Sequence, residues 1–309
     1  MTDITLIGTA ALMPIPERAL SAAFLTCGGH SILFDCGEGT QTAARKAGVS
    51  LMKTDVIALT HYHGDHILGL PGLLKTMWRA QRTETLYITG PEGLWCKAME
   101  PVLRLTGRTP YAIELIELPA DGLQLCKLIR GWATQARLTA FKTVHKVPSQ
   151  GYCFTLGRAG KFLPQRAKEL GVPVNQWSLL QRGQSVQVGE RVILPEQVLG
   201  EPRKGLKFVF TGDTAACDTL IDAAWGADLM ICDATYGENE QEQQATDKGH
   251  MTFAQAATVA AKAHVKQLWL THYSQMITDP QDYLHNATAF FPNTICGHDG
   301  LSTTLRFED

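Results

Sequence analysis

Short apolar runs bounded by polar and glycine-bearing stretches predict strands at residues 4–8, 31–34, 56–60, 86–89, 136–142, 208–211, 229–232 and 268–271. Apolar positions three to four residues apart predict helices over 70–80, 93–105, 217–225 and 252–263. Strands and helices in mixed succession point to a layered α/β protein. The first 60 residues read as nearly all strand and turn, which favours β-meander pieces flanked by helices over a doubly wound sheet. Two packed sheets with outer helices is the expected architecture, and residues 1–309 read as one domain, a length that α/β folds reach as single units.

Residues 151–207 differ in character, with nine Lys or Arg against four Glu and punctuation by proline and glycine at 164, 171, 173, 183, 189, 195 and 202. The whole chain has 28 Lys plus Arg against 30 Asp plus Glu, so this basic stretch interrupts an otherwise acidic chain. It is the candidate for an inserted arm at about 155–205. A net charge of −2 excludes a uniformly basic nucleic-acid coat, and a polyanion partner has to be met by a local patch. Residues 238–244 read as a polar loop or exposed helix. No apolar run approaches the ~20 residues of a membrane span, and residues 1–8 lack the basic-then-apolar pattern of a signal sequence. A cytoplasmic protein with no membrane partner is expected.

None of the eight cysteines forms a C-x-x-C pair, so they read as reduced, mostly buried thiols. A metal, if bound, is left to histidine and carboxylate. Thr60-His61-Tyr62-His63-Gly64-Asp65-His66 supplies four such side chains directly after an apolar run. Alternation points His61 and His63 the same way, and Gly64 permits a tight turn that turns Asp65 and His66 toward a second position. That arrangement suits two neighbouring ions better than one. Further candidate ligands follow other apolar runs: His145, Asp213 in Phe210-Thr211-Gly212-Asp213-Thr214, and His272 in Leu270-Thr271-His272. Imidazole and carboxylate without thiolate suit zinc, with manganese or iron as alternatives. Two divalent ions about 3.5–4 Å apart form a hydrolytic clamp.

H-x-H-x-D-H with downstream His, Asp and His resembles the metallo-β-lactamase superfamily. The resemblance implies an αββα sandwich in which His61, His63 and His145 bind one metal, Asp65, His66 and His272 the other, and Asp213 bridges them. Phe34-Asp35-Cys36-Gly37-Glu38-Gly39-Thr40-Gln41, Gly69-Leu70-Pro71-Gly72-Leu73-Leu74 and the opening Ile7-Gly8-Thr9 narrow the likeness to the ribonuclease Z family. That family removes the 3′ trailer of precursor tRNA, extrudes an arm that grips the tRNA, and forms homodimers. An alternative with the same site is a phosphodiesterase acting on small or cyclic substrates.

The resemblance also makes His250, in Lys248-Gly249-His250-Met251-Thr252, a second catalytic histidine outside the metal shells, oriented by Asp233. Asp65 would accept or orient a proton of the attacking water while serving as a ligand, and Asp299 would shape the edge of the site without ligating. The chain departs from the family at Cys232-Asp233-Ala234-Thr235, where the pattern is His-Glu-Ala-Thr, at Arg18-Ala19 for Arg-Asn, and at His272-Tyr273-Ser274-Gln275-Met276 for His-x-Ser-x-Arg. The family's Gly-Pro signature is absent from Gly171-Val172-Pro173-Val174-Asn175. His30, His264, His285 and His298 read as structural.

Overall fold

The computed structural model describes residues 1–308. Six strands come first: β1 (Thr2–Gly8), β2 (Ala22–Cys27), β3 (His30–Phe34), β4 (Val56–Ala58), β5 (Leu86–Thr89) and β6 (Ile113–Ile116). They are followed by β7 (Leu123–Gln124), β8 (Ala136–Lys142), β9 (Gln150–Arg158), β10 (Val186–Val188), β11 (Arg191–Ile193) and β12 (Arg203–Phe210). The last four are β13 (Leu229–Asp233), β14 (Leu268–Thr271), β15 (Thr294–Cys296) and β16 (Ser302–Leu305).

Two seven-stranded sheets form, ordered β16-β1-β2-β3-β4-β5-β6 and β15-β14-β13-β12-β9-β8-β7. Each is antiparallel in one half and parallel in the other: β3 to β6 run parallel in the first sheet, β12 to β15 in the second. Ligand-bearing loops belong at the carboxyl ends of parallel strands, where the chain leaves the sheet.

The period of two along each strand divides its side chains between inner and outer layers. Phe208 and Phe210 face the space between the sheets with Ile4, Leu6, Phe34, Tyr152, Phe154 and Trp269. Val209 points outward, where Met230, Cys232, Leu268 and Leu270 pack against helix Phe253–Lys262. On the outer face of the first sheet, Leu33 and Ile57 meet Leu70, Leu73, Leu74 and Met77 of helix Leu70–Arg79. The result is the αββα sandwich expected from the resemblance.

Several details differ from the sequence reading. The first 60 residues contain helix Thr40–Lys46, and the apolar runs predict none of β2, β6, β7, β9, β10, β11, β15 and β16. The β9 strand is obscured by Gly151 and Gly157 and by its basic flank, yet it is central to the second sheet. Gly151 is there for packing, because a Cβ would lie 2.2 Å from the Phe141 ring that crosses it. The helix expected over 93–105 opens as a wide π-type turn, Leu94–Met99, before α-helix Glu100–Thr106. Pro101 has no N–H to give the preceding turn, and its ring crowds a carbonyl there, so the tighter winding is lost.

Between β9 and β12, residues 159–202 build a small module with its own core of Ala167, Val172, Leu180, Val186, Ile193 and Val198. Its two ends meet where Gly160 packs against the Gly200 carbonyl. The basic character lies on the surface of this module and its base: Lys161, Arg166, Lys168, Arg182, Arg191, Arg203 and Lys204 are exposed. No helix among the described residues is long and apolar enough to cross a membrane.

Phe34 ties the sheets together. Its ring lies 5.5 Å from those of Phe208 and Phe210 and 5.9 Å from Tyr152. Truncation of a fully buried aromatic leaves a cavity, so Phe34→Ala is expected to lower unfolding free energy by about 3–5 kcal/mol. A urea midpoint unchanged from wild type would show that the inter-sheet cluster does not depend on this ring.

Candidate metal centre

The strand ends bring all seven sequence-selected ligand candidates to one point. His61 and His63 follow β4, and helix Gly64–Ile67 carries Asp65 and His66. The second sheet contributes His145 after β8, Asp213 after β12 and His272 after β14. Gly212, at φ +60, lets the loop bearing Asp213 cross Thr60, where a Cβ would approach to 2.5 Å.

Two groups result. His61 Nε2 lies 3.0 Å from His63 Nδ1, which lies 3.4 Å from His145 Nε2. His66 Nε2 and His272 Nε2 are 3.3 Å apart, with Asp65 Oδ2 at 3.7 and 3.4 Å from them. Asp213 stands between the groups. Its Oδ2 is 3.6 Å from His61 Nε2, and its Oδ1 is 3.3 Å from both His66 Nε2 and His272 Nε2.

Outer contacts aim these nitrogens inward. His66 Nδ1 is bonded to Asp35 Oδ2 at 2.7 Å, His145 Nδ1 to the Gly249 carbonyl at 2.9 Å, and His272 Nδ1 to Thr235 Oγ1 at 3.0 Å. His61 Nδ1 lies 3.1 Å from Thr60 Oγ1. Acceptors at Nδ1 place the proton there and leave Nε2 with a free lone pair, the arrangement that supports metal ligation. Asp35 is fixed in turn by the Thr60 N–H at 2.8 Å and the Thr60 hydroxyl at 2.9 Å.

The electrostatics fit a cation. Asp213 Oδ1 is buried and has no hydrogen-bond partner, an arrangement that is costly unless a positive group satisfies it. Burial and the nearby His66 push His61 down to about 2, so its imidazole is neutral. His63 is lowered by burial and by His145. Burial opposes ionisation of Asp213, but His272, His66 and His61 hold it well below the usual carboxylate range. Burial opposes a charged His66, but Asp213 and Asp35 raise it well above the ordinary imidazole value, so its proton supplies positive charge where a bound cation would replace it. With that proton displaced, neutral imidazoles and ionised carboxylates are the forms that bind divalent metals, and the donor set fits two ions: His61, His63, His145 and Asp213 in one group, Asp65, His66 and His272 in the other.

His250 sits beside this centre, its ring stacked on His272 at 5.4 Å. Asp233 is one methylene shorter than the family's Glu and still reaches His250 Nδ1 at 2.8 Å through Oδ2. Burial disfavours a charged His250, but the Asp233 carboxylate outweighs it and raises the group to about 9. The other oxygen, Oδ1, accepts from the Thr235 N–H and from its hydroxyl at 2.7 Å. Thr235 thus links the His250 orienter to the His272 ring, and Thr235 and Asp35 are the two positions that sequence reading missed. Both lie in stretches quoted for their likeness, but spacing alone gave neither a task. Asp299 accepts from the Thr9 hydroxyl and the Ala19 N–H, tying down the loop after β1 away from the donor atoms. Glu238, Glu240 and Glu242 do not line the cavity over the centre, where Gln241 and Gln244 face inward.

The family model described as Beta-lactamase superfamily domain matches residues 197–273, and that described as Anti-Pycsar protein Apyc1 matches residues 2–159. Ribonuclease Z of Lachnoclostridium phytofermentans is 40% identical over 308 residues, covering 100% of this chain and 99% of its own. Ribonuclease Z of Agathobacter rectalis is 40% identical with 100% of both chains covered. Human tRNase Z, short form, superposes with TM-score 0.67 at 26% identity, over 99% of this chain and 100% of its own. The metallo-β-lactamase fold protein YhfI from Bacillus subtilis shares the fold, with TM-score 0.67 at 21% identity over 98% and 100% of the two chains. Identity at the level of the first two, sustained along the whole length and carried on the same αββα frame, means that this chain belongs to the ribonuclease Z family of metallo-β-lactamase-fold hydrolases.

Proposed function

We propose that the protein removes the 3′ trailer of precursor tRNA by metal-assisted phosphodiester hydrolysis. The observation that carries this reading is Asp213, a buried carboxylate with one oxygen toward each group of imidazoles and no hydrogen bond to Oδ1. In this assignment His61, His63 and His145 would hold one ion, Asp65, His66 and His272 the other, and Asp213 both. Zinc suits this thiolate-free set, with manganese or iron as alternatives. When bound, the ions supply Lewis acidity and lower the pKa of water toward neutrality.

The chain's own groups do the rest. Asp65 Oδ2 accepts the Leu12 N–H at 2.8 Å, which fixes the carboxylate where it can orient a water and take up its proton. His250 donates its Nδ1–H to Asp233 in a hydrogen bond and keeps that proton, so its Nε2–H remains free to stabilise developing charge or protonate the leaving 3′ oxygen. The exposed cations of the 159–202 module and its base offer sequence-independent contacts to the tRNA phosphates. The reading includes a cytoplasmic homodimer in which the arm serves the neighbouring subunit's substrate, as the resemblance implies.

Metal-loaded protein is expected to cut a trailer-bearing pre-tRNA at one 3′ position, and Asp213→Ala to abolish the cut. Replacing residues 161–199 by a short linker between Gly160 and Gly200 should remove pre-tRNA cleavage and spare hydrolysis of a small aryl phosphodiester. Hydrolysis of the small diester alone by the intact protein would move it to the phosphodiesterase reading.

His250→Ala is expected to reduce turnover by about 10²–10⁴-fold, the range of general acid–base catalysis, with both ions retained by elemental analysis. Because Asp233 holds His250 protonated, wild-type turnover should stay high through neutral pH and fall as pH rises through about 9. Asp233→Asn should bring that fall to lower pH. Loss of metal from His250→Ala, or an alkaline limb that Asp233→Asn leaves in place, would remove His250 from this task.

A further inference from the structure

The cavity over the centre, about 490 Å³, falls in the range of small-ligand sites and is lined by both cationic and apolar side chains. Lys146, next in sequence to His145, and Lys248, near His250 in sequence, line it, and Ala11, Leu12, Met276 and Ile277 give it an apolar lining. Leu12 is 74% exposed and Met276 81% exposed. Exposed side chains of this size contribute little burial to folding. Leu12 also sits at φ +61, where glycine is the unstrained residue and an L side chain is disfavoured. Folding therefore explains neither side chain.

The two segments are fixed to each other and to the centre. The Ala11 N–H donates to the Tyr273 carbonyl at 2.9 Å, and the Tyr273 N–H to the Thr9 carbonyl at 2.8 Å. The buried Arg18 guanidinium donates to the Ile277 carbonyl. Through its own N–H, Leu12 is bonded to Asp65 Oδ2 at 2.8 Å. The backbone that carries the apolar pair thus forms a lip tied to a carboxylate of the proposed metal site.

We propose that Leu12 and Met276 form a nucleobase subsite that contacts the face of a base flanking the scissile phosphate and sets the strand's register over the centre. This rests on the functional reading above. An RNA strand alternates anionic phosphates with flat, weakly polar base faces. A cavity lined by both cations and apolar side chains complements both. Extruded bases are held between aromatic or apolar side chains in nucleic-acid enzymes, and a thioether against a π-face is a favourable contact. Lys146 and Lys248, which line the same cavity, take the backbone phosphate.

The test is a cycle of protein and substrate changes with metal-loaded enzyme. Leu12→Gly combined with Met276→Ala is compared with wild type on a pre-tRNA minihelix, intact or abasic at either nucleotide flanking the cut. The double variant should raise KM on intact RNA about tenfold, the scale of one stacked base, with a smaller effect on kcat. At one of the two abasic positions, wild type should show the same loss, and variant plus abasic RNA should lose no more than either change alone. Losses that multiply at both positions overturn the subsite, whether or not metal content changes. Failure of the wild-type protein to cut intact RNA overturns the functional reading and the subsite with it, whereas cleavage with multiplied losses overturns the subsite alone.

Discussion

The placement of the Asp213 carboxylate, buried between two groups of imidazole nitrogens, is the constraint on which the rest of the site depends. Imidazole nitrogens gathered at 3.0–3.4 Å and taken out of water, and a buried carboxylate oxygen without a donor, are both costly. Divalent cations would relieve both costs together, because the imidazoles and carboxylates of each group would hold one. The scaffold then has to hold the donors convergent. It does so with Asp35, Thr60, Thr235 and the Gly249 carbonyl, each fixing one or more rings from outside.

That outer frame is rigid because the fold makes it so. The parallel halves of both sheets end at the same edge, and the aromatic cluster around Phe34 locks one sheet against the other. Asp35 directly follows Phe34, so the residue that orients His66 is continuous with the one that joins the sheets. Asp213 and Asp233 follow or close strands whose inner side chains, Phe210 and Ile231, belong to the same cluster. A displacement between the sheets would be felt at the centre as a change in donor spacing.

Much of this was legible in the sequence because it is local or periodic. The His61 to His66 run gathers four donors within one turn, and His145, Asp213 and His272 each follow an apolar run that reads as a strand. The edges of the sheets were less legible. The β2 strand does not stand out from the surrounding turns, and β9 is broken in pattern by Gly151, which admits the Phe141 ring, and by Gly157. Asp35 and Thr235 show a different limit. Their importance comes from partners 31 and 37 residues away, His66 and His272, and no periodicity connects such pairs.

Backbone conformation adds a last link between strain and chemistry. Among the described non-glycine residues, Leu12, Asp35, Gln81, His264 and His272 have positive φ, and three of these five belong to the centre. Residues held in this region cost of order 1–3 kcal/mol each and persist only where their surroundings over-determine them. Here the compensation is visible at each position. The ionised Asp65 carboxylate accepts the Leu12 N–H, Asp35 bonds His66 and Thr60, and His272 is bonded to Thr235. A hydrogen bond to a charged group such as Asp65 contributes about 1.5–3 kcal/mol, the same scale as the strain at Leu12. Without its carboxylate partner, Leu12 would keep the strain and lose the contact, so the conformation of the lip and the ionisation of Asp65 are one coupled state.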